Sequence, residues 1–440
     1  MPLLSIYPSV CARTPVGRGW WRRLQQSWLA LPLALTSLTA SAQQLQPSQP
    51  VAEPKVVLIS IDGLRWQEVF HGADPAILQQ ARFVRHADKK AQLPTQPQQL
   101  MPFFQRVIKT QGLLVGDRQQ GSLMNVSNPW HFSYPGYNEL LSGYADPAIS
   151  SNSKVNNPNV TVLEWLHQQS ELNGKVAAVG SWDVLPYILN VERSGLPVNA
   201  GFARFQGPQG ETDAEIDLLN QLQRQTPSPW SGVRLDIFTQ RFALTHLKKH
   251  QPRLLYIAYG ETDDFAHDGQ YDQYLKAIQR TDQFIAEIWQ TLQADPFYRD
   301  QTTLLITTDH GRGEHAHNWQ HHASGRAVAG YMKKLTAFSD GISGSDQIWL
   351  AALGPAIPAR GIVTTQTPWQ QSQVAATVAA LFGYDWQAVQ YKATAALPLL
   401  NAEQQLAKRA PANSAAPAAV VSGTAPAALP GTAPAALPPL

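Results

Sequence analysis

Cysteine is nearly absent. The 440-residue chain has one, Cys11, and it falls within residues 1–42, which read as a secretory signal peptide. The exported chain would carry no thiol, which excludes a disulfide scaffold, a cysteine nucleophile, thiolate metal ligands and a cysteine-derived formylglycine. A charge excess is missing as well: 34 Lys and Arg face 32 Asp and Glu. Arg13, Arg18, Arg22 and Arg23 all lie in the signal, which has no acidic residue, so removing these four leaves 30 basic groups against 32. Binding to a nucleic-acid polymer then has no electrostatic basis. Long apolar runs are also lacking. The signal's own run, Trp28 to Ala40, is too short to remain in a bilayer and leads into a small-x-small site at Ala40-Ser41-Ala42. The chain is expected to be periplasmic or secreted, with no integral membrane segment after signal removal.

What the sequence does have is enough apolar residue, 44%, to bury a substantial core. Residues 43–53 read as a short linker and 54–400 as a single domain. Residues 401–440 read as a disordered Pro/Ala-rich tail in which GTAPAALP occurs at 423–430 and again at 431–438. Inside the domain, VVLISID (56–62), LLYIAYGE (254–261) and TLLITTDH (303–310) are continuous apolar runs, and KVAAVGS (175–181) is a fourth candidate strand. Such runs suit strands covered on both faces. Between them lie helical patterns, as in Leu275, Ile278, Ile285, Ile288 and Leu292. The expected fold class is α/β, with a central, mainly parallel sheet and helices on both faces.

Carboxylates follow three of these runs. Asp62 ends the first, Asp263 lies just past the second and Asp309 ends the third. All three are expected at the carboxyl edge of one sheet, where open α/β sheets bind ligands. Asp263 and His267 are spaced i, i+4, so a helix would put them on one face, a pairing that suits a metal with N and O ligands. Asp309 and His310 are adjacent at a strand end, with Gly311 and Gly313 permitting a sharp turn. Of the histidines that follow, His315, His317, His321 and His322, at least two are expected to be no more than polar loop residues. In FSYPGYNELLSGY (132–144), Ser133 precedes a Pro-Gly turn. A serine there is ordinarily a helix cap, and the alternative is a nucleophile at a helix N-terminus, where the dipole favours an anion.

Taken together, IDGLRW, SYPGYNELLSG, TDDFAH and TDHGRG resemble, in content and order, the alkaline phosphatase superfamily. The resemblance extends over about residues 54–395 and is to the nucleotide pyrophosphatase/phosphodiesterase and phosphoglycerate-mutase-like branch of secreted bacterial hydrolases. It implies an alkaline-phosphatase-like sandwich, making 54–400 a metal-dependent phosphohydrolase domain with Ser133 as nucleophile. It also implies two divalent metal ions. Asp62, Asp309 and His310 would hold one; Asp263 and His267 would begin the other, completed by His322, with His321 as competitor. Ser133 would bind metal too. The stretch ASGRAVAGYMKKLTAFSDG (323–341) departs from the usual pattern. Zn²⁺ is favoured by the imidazoles, while Mn²⁺ or Mg²⁺ would suit the Asp-rich site. In the related diesterases an asparagine about twenty residues after the nucleophile contacts phosphate, so Asn152, Asn156 and Asn157 are candidates here. Arg65 and Arg312 are either phosphate contacts or partners of an aspartate.

The reading is an exported two-metal hydrolase of small phosphate esters acting through a phosphoseryl intermediate, with phosphomonoesters slightly favoured. The alternatives are a phosphodiesterase or nucleotide pyrophosphatase and, from another class, a non-catalytic metal-containing binding protein of the same fold. A sulfatase is disfavoured because no arginine follows Ser133-Tyr134-Pro135 in the required context.

Overall fold

A strand covered on both faces needs apolar side chains at consecutive positions. In a computed structural model the described residues are 53–84, 87–207 and 210–400. Cys11, the expected signal, the linker up to residue 52 and the tail lie outside them. The strands are β1 Lys55–Ile61, β2 Leu113–Val115, β3 Met124–Asn125, β4 Val176–Gly180, β5 Val198–Ala200 and β6 Leu254–Tyr259. They continue with β7 Thr302–Thr307, β8 Gln347–Ile348, β9 Leu350–Leu353, β10 Gly361–Ile362 and β11 Trp369–Gln370.

Eight strands form one sheet in the order β10-β2-β9-β7-β1-β6-β4-β5. All its pairs are parallel except those of β9, which runs against β7 and β2. In β1, Val57, Ile59 and Ile61 enter one core while Val56 and Leu58 enter the other. β6 divides in the same way, Leu255, Ile257 and Tyr259 against Leu254, Tyr256 and Ala258. Helices Asp236–His250 and Tyr271–Ala294 cover the first face, and Ser133–Ser142 and Gln373–Leu381 the second. The architecture is therefore a mainly parallel sheet with helices on both faces. The apolar run at 347–354 does not form one strand. Gln347–Ile348 pairs in a small second sheet, β11-β3-β8, and Leu350–Leu353 enters the main sheet antiparallel.

Register fixes the site. Ile61 of β1 lies beside Tyr259 of β6, and Ser60 beside Thr307 of β7. The residues that follow these strands, Asp62, the Gly260–Asp263 turn and Asp309, therefore leave the sheet together at its carboxyl edge. Among the described residues no helix is long and apolar enough to cross a membrane.

Candidate active site

Leaving the sheet, the chain must turn at once if Asp62 and Asp309 are to face each other. Gly63 makes that turn at φ +58° and donates its N–H to Asp309 Oδ1 at 3.1 Å. A Cβ there would lie 2.6 Å from Asp263 Oδ1, so only glycine fits. Gly136 has a similar role in helix Ser133–Ser142, where a Cβ would lie 2.3 Å from the Asp309 carbonyl. This close approach seats the helix N-terminus on the carboxylate cluster.

His310 is the centre of the cluster. Its Nδ1 bonds the Gly311 carbonyl at 2.9 Å, which directs Nε2 inward. Nε2 lies 3.4 Å from Asp62 Oδ1, 3.5 Å from Asp309 Oδ2, 3.8 Å from Asp263 Oδ1 and 3.4 Å from Ser133 Oγ. The ring of His322 stacks on that of His310 at 3.7 Å. Its Nδ1 bonds the His131 carbonyl at 3.0 Å, and its Nε2 lies 3.0 Å from His267 Nε2 and 3.6 Å from Asp263 Oδ1. His267 is 3.2 Å from Asp263 Oδ2. Two triads have ligand atoms close enough to share an ion: Asp62, Asp309 and His310, and Asp263, His310 and His322.

Asp62 Oδ1 and Asp309 Oδ2 are buried without a hydrogen-bond donor. An ionised oxygen in that state is costly unless a cation meets it. Burial, and then the Asp263 charge, raises the Asp62 pKa. Burial, and then Asp62, pushes Asp309 well above the carboxylate range. Burial would lower His310, but Asp309, Asp62 and Asp263 outweigh it and lift His310 to about 9. Burial opposes ionisation of Asp263 too, but His267 and Arg312 overcome it and hold the carboxyl well below its usual range. This set of oxygen and imidazole donors, two of its oxygens orphaned, fits divalent cations.

Ser133 is the first residue of its helix and caps nothing; the preceding Phe132 is extended. Its hydroxyl opens on a cavity of about 200 Å³ lined by Asp62, Ser133, Asn152, Trp182, Val233, Gly260, Asp263, Asp264 and His267. Asn152 Oδ1 accepts from the Tyr134 N–H at 2.9 Å, which leaves its amide N–H groups to offer to an anion. The other two asparagines are elsewhere. Asn156 bonds Glu192 at 2.8 Å, and Asn157 is fully buried against Asn138 and the Ile188 carbonyl.

Neither arginine offers a phosphate contact. Arg312 is buried with Nη1 2.5 Å from Asp263 Oδ1, and its other nitrogens bond the Trp319, Gln320 and Asp263 carbonyls. It supports Asp263. Arg65 points away from the cavity, toward Glu68 and Asp74. Of the four loop histidines, His315 and His317 are exposed and stacked on each other. His321 rests on Phe338, its pKa lowered by burial to about 4; only His322 reaches the cluster. Substituting His322→Ala is expected to weaken divalent-cation binding by more than the ~10–100-fold typical of losing an outer-shell partner. His321→Ala should change it less than about twofold, as read by competition with a chromophoric chelator.

Several site residues have no counterpart in the sequence reading. Tyr137, one turn beyond Ser133, donates its hydroxyl to Asp62 Oδ2 at 2.9 Å, and Thr262 donates to the Asp62 carbonyl at 2.5 Å. The i, i+4 spacing of Ser133 and Tyr137 is the one signal that pointed to either. Glu139 is buried and accepts from the Ser127, Asn128 and Ser372 N–H groups. Asn128 in turn accepts from His131 N–H at 3.0 Å and holds His131 at φ +58°, where its carbonyl meets His322. The 323–341 stretch packs Ala323, Ala327 and Val328 against Trp130 and Phe132, directly ahead of Ser133. Asp264 is pushed up to about 9 by burial and then by Asp263 and Asp62.

Residues 239–334, which carry Asp263, His267, Asp309, His310 and His322, match the model of the Metalloenzyme superfamily. Among solved structures, the chain is similar to wild-type alkaline phosphatase PafA, with 11% identity over 76% of this chain and 96% of that one and a TM-score of 0.48. It is similar to a putative sulfatase from Bacteroides thetaiotaomicron (14%, covering 75% and 71%, TM-score 0.43). It is also similar to the lipoteichoic acid synthase LtaP from Listeria monocytogenes (10%, covering 76% and 72%, TM-score 0.44). No curated protein matches it.

Proposed function

We propose that this chain is an exported, metal-dependent phosphoric ester hydrolase of the alkaline phosphatase superfamily, using Ser133 as its nucleophile. The observation that carries this reading is the position of the Ser133 hydroxyl. It caps nothing, lies 3.4 Å from His310 Nε2 and opens on a cavity that also exposes Asp62, Asp263 and His267. A merely structural ion site has no use for such a hydroxyl.

Asp62, Asp309 and His310 would hold one divalent cation and Asp263, His267 and His322 a second, with Zn²⁺ favoured by the imidazoles. Bound there, the cations would supply positive charge to the phosphoryl oxygens and lower the pKa of the serine hydroxyl. Ser133 Oγ attacks phosphorus as the bond to the leaving alcohol breaks, and the alcohol oxygen takes up a proton. Water then attacks the phosphoserine, the bond from phosphorus to Oγ breaks, and Ser133 regains its proton. The helix that begins at Ser133 presents its dipole to the phosphoryl charge, and Asn152 offers its amide donors. Tyr137 and Arg312 keep Asp62 and Asp263 in orientation through the bonds described above.

The cavity alters the preference taken from the sequence. A phosphomonoester dianion calls for cationic side chains around it, and among the described residues no Lys or Arg lines this cavity, whereas Trp182 and Val233 give it an apolar wall. This favours diesters. With the Zn²⁺- or Mn²⁺-loaded chain, kcat/KM for bis(p-nitrophenyl) phosphate is expected to exceed that for p-nitrophenyl phosphate by at least about tenfold. A ratio below one would restore the monoester reading. Silence on both from a folded, metal-loaded chain would favour the binding-protein alternative.

A further inference from the structure

A second cavity, of about 290 Å³, lies at the β5 edge of the main sheet and shares no lining residue with the one at Ser133. Val198 and Asn199 of β5 line it with Phe205 and Gly207, and His246 reaches it from helix Asp236–His250. His246 and His250 are spaced i, i+4, so both rings lie on one face of that helix. Their centres are 4.8 Å apart, with the planes inclined at 48°.

His246 is 6% exposed, and no hydrogen bond reaches either ring among the described residues. His250 Nε2 is buried with no partner. Packing accounts for part of this arrangement, since His246 meets Phe205 edge to face with centres 6.3 Å apart. It leaves the ring nitrogens without a role, whereas a buried polar atom ordinarily has a partner. Burial lowers the pKa of both histidines, His246 to about 3. Each ring is therefore neutral near pH 7 and has a lone pair to give.

Two imidazoles that share a tetrahedral ion at ~2.0–2.1 Å per nitrogen have ring centres about 5 Å apart. His267 and His322, placed above on the second catalytic cation, have centres 5.0 Å apart. The 4.8 Å pair has the same spacing. A carboxylate is also at hand: a Cβ on Gly207 would lie 2.9 Å from His250 Nε2 and 3.2 Å from Glu211 Cβ, so the Glu211 side chain starts beside that nitrogen. Glu211 is exposed, with neither an ion pair nor a side-chain hydrogen bond among the described residues. Of the nearby cations, Arg204 pairs with Asp217 at 2.8 Å and Lys249 with Asp213 and Glu215.

We propose that His246 and His250 form a further metal site, separate from the catalytic cluster, for a cation that favours imidazole such as Zn²⁺ or Cu²⁺, with Glu211 as its carboxylate ligand. An ion there ties the chain at Glu211 to the helix. The site does not depend on the phosphohydrolase reading.

Titration of the full, metal-free chain with Zn²⁺ against a chromophoric chelator tests this. The wild type is expected to bind one equivalent more than His250→Ala and one more than His246→Phe, and the double variant should lose no more than either single one, because the two rings act as one site. Glu211→Gln should weaken that equivalent by at least the ~10-fold that losing even an outer-shell partner brings; unchanged affinity would strike Glu211 from the site. His322→Ala should weaken a catalytic equivalent and leave this one, so failure of the catalytic assignment reads apart from failure of this site. If the buried His246→Phe does not fold, the half-buried His250→Ala carries the test. Equal stoichiometry in the wild type and His250→Ala would overturn the proposal. So would loss of the extra equivalent in His315→Ala, which would assign it to the exposed His315 and His317 pair.

Discussion

Replacing Ser133 by alanine is expected to lower kcat/KM by at least about 10³-fold, roughly 4 kcal/mol of transition-state stabilisation, in a chain that folds and binds metal as before. The second half of that expectation comes from what the hydroxyl does not do. It caps no helix end, and among the described residues its one side-chain hydrogen-bonding approach is the 3.4 Å one to His310, so its removal should cost well under ~1 kcal/mol of stability. Phe132 and Gly136 keep the helix start where it is through the backbone bond between them, 3.0 Å long. A loss of turnover with unchanged melting temperature and metal content therefore isolates the nucleophile. If the variant turns over near the wild-type rate, an activated water must be attacking phosphorus directly, and the helix N-terminus serves only to bind the anion.

The aspartates at the sheet edge were legible because each follows a continuous apolar run. Such a β-branched run suits a strand buried on both sides, and parallel neighbours bring their ends together. Asp62 and Asp309 needed no more than that. His322 was distinguishable from His321 only through tertiary structure, since neighbouring positions in an irregular loop carry no periodicity. What separates them is the His131 carbonyl, fixed by Asn128 and, behind it, Glu139. Arg312 was open to two readings because a guanidinium beside a ligand suits either a phosphate or an aspartate. The turn that buries it against Asp263 decides the matter, and that turn depends on carbonyls at 319 and 320. Asn156 and Asn157 share composition with Asn152, but only the last faces Ser133. Asp264 gave no signal, because a carboxylate next to a ligand reads as part of the same motif until the cavity wall is seen.

The metal-free chain is expected to lose stability as pH rises from about 6.5 to 9, while the metal-loaded chain should not. Asp62 and Asp309 have folded pKa values raised by burial and by neighbouring carboxylates, and Asp264 is raised to about 9. Carboxyls shifted upward favour folding while protonated, so their contribution, complete below the unfolded value near 4, falls as pH climbs through the folded one. His310, raised to about 9 because three carboxylates outweigh its burial, acts in the same direction. Its contribution is complete below the unfolded value near 6.5 and is lost toward 9. Asp263, held low, contributes only to acid unfolding, and His322, lowered by burial, acts below pH 6.5. Within the window, then, the cluster of described groups has one sign. Divalent cations would take over the neutralisation that protons provide, so the slope should flatten when they are bound. At about 1,000 times Kd they should add about 4 kcal/mol at a given pH, with the larger gain at pH 9. Thermal denaturation with chelator and with Zn²⁺, at pH 7, 8 and 9, reads this directly. Parallel pH profiles would mean that the orphaned oxygens of Asp62 and Asp309 are not where the cation binds, and the assignment of that site would fall with them.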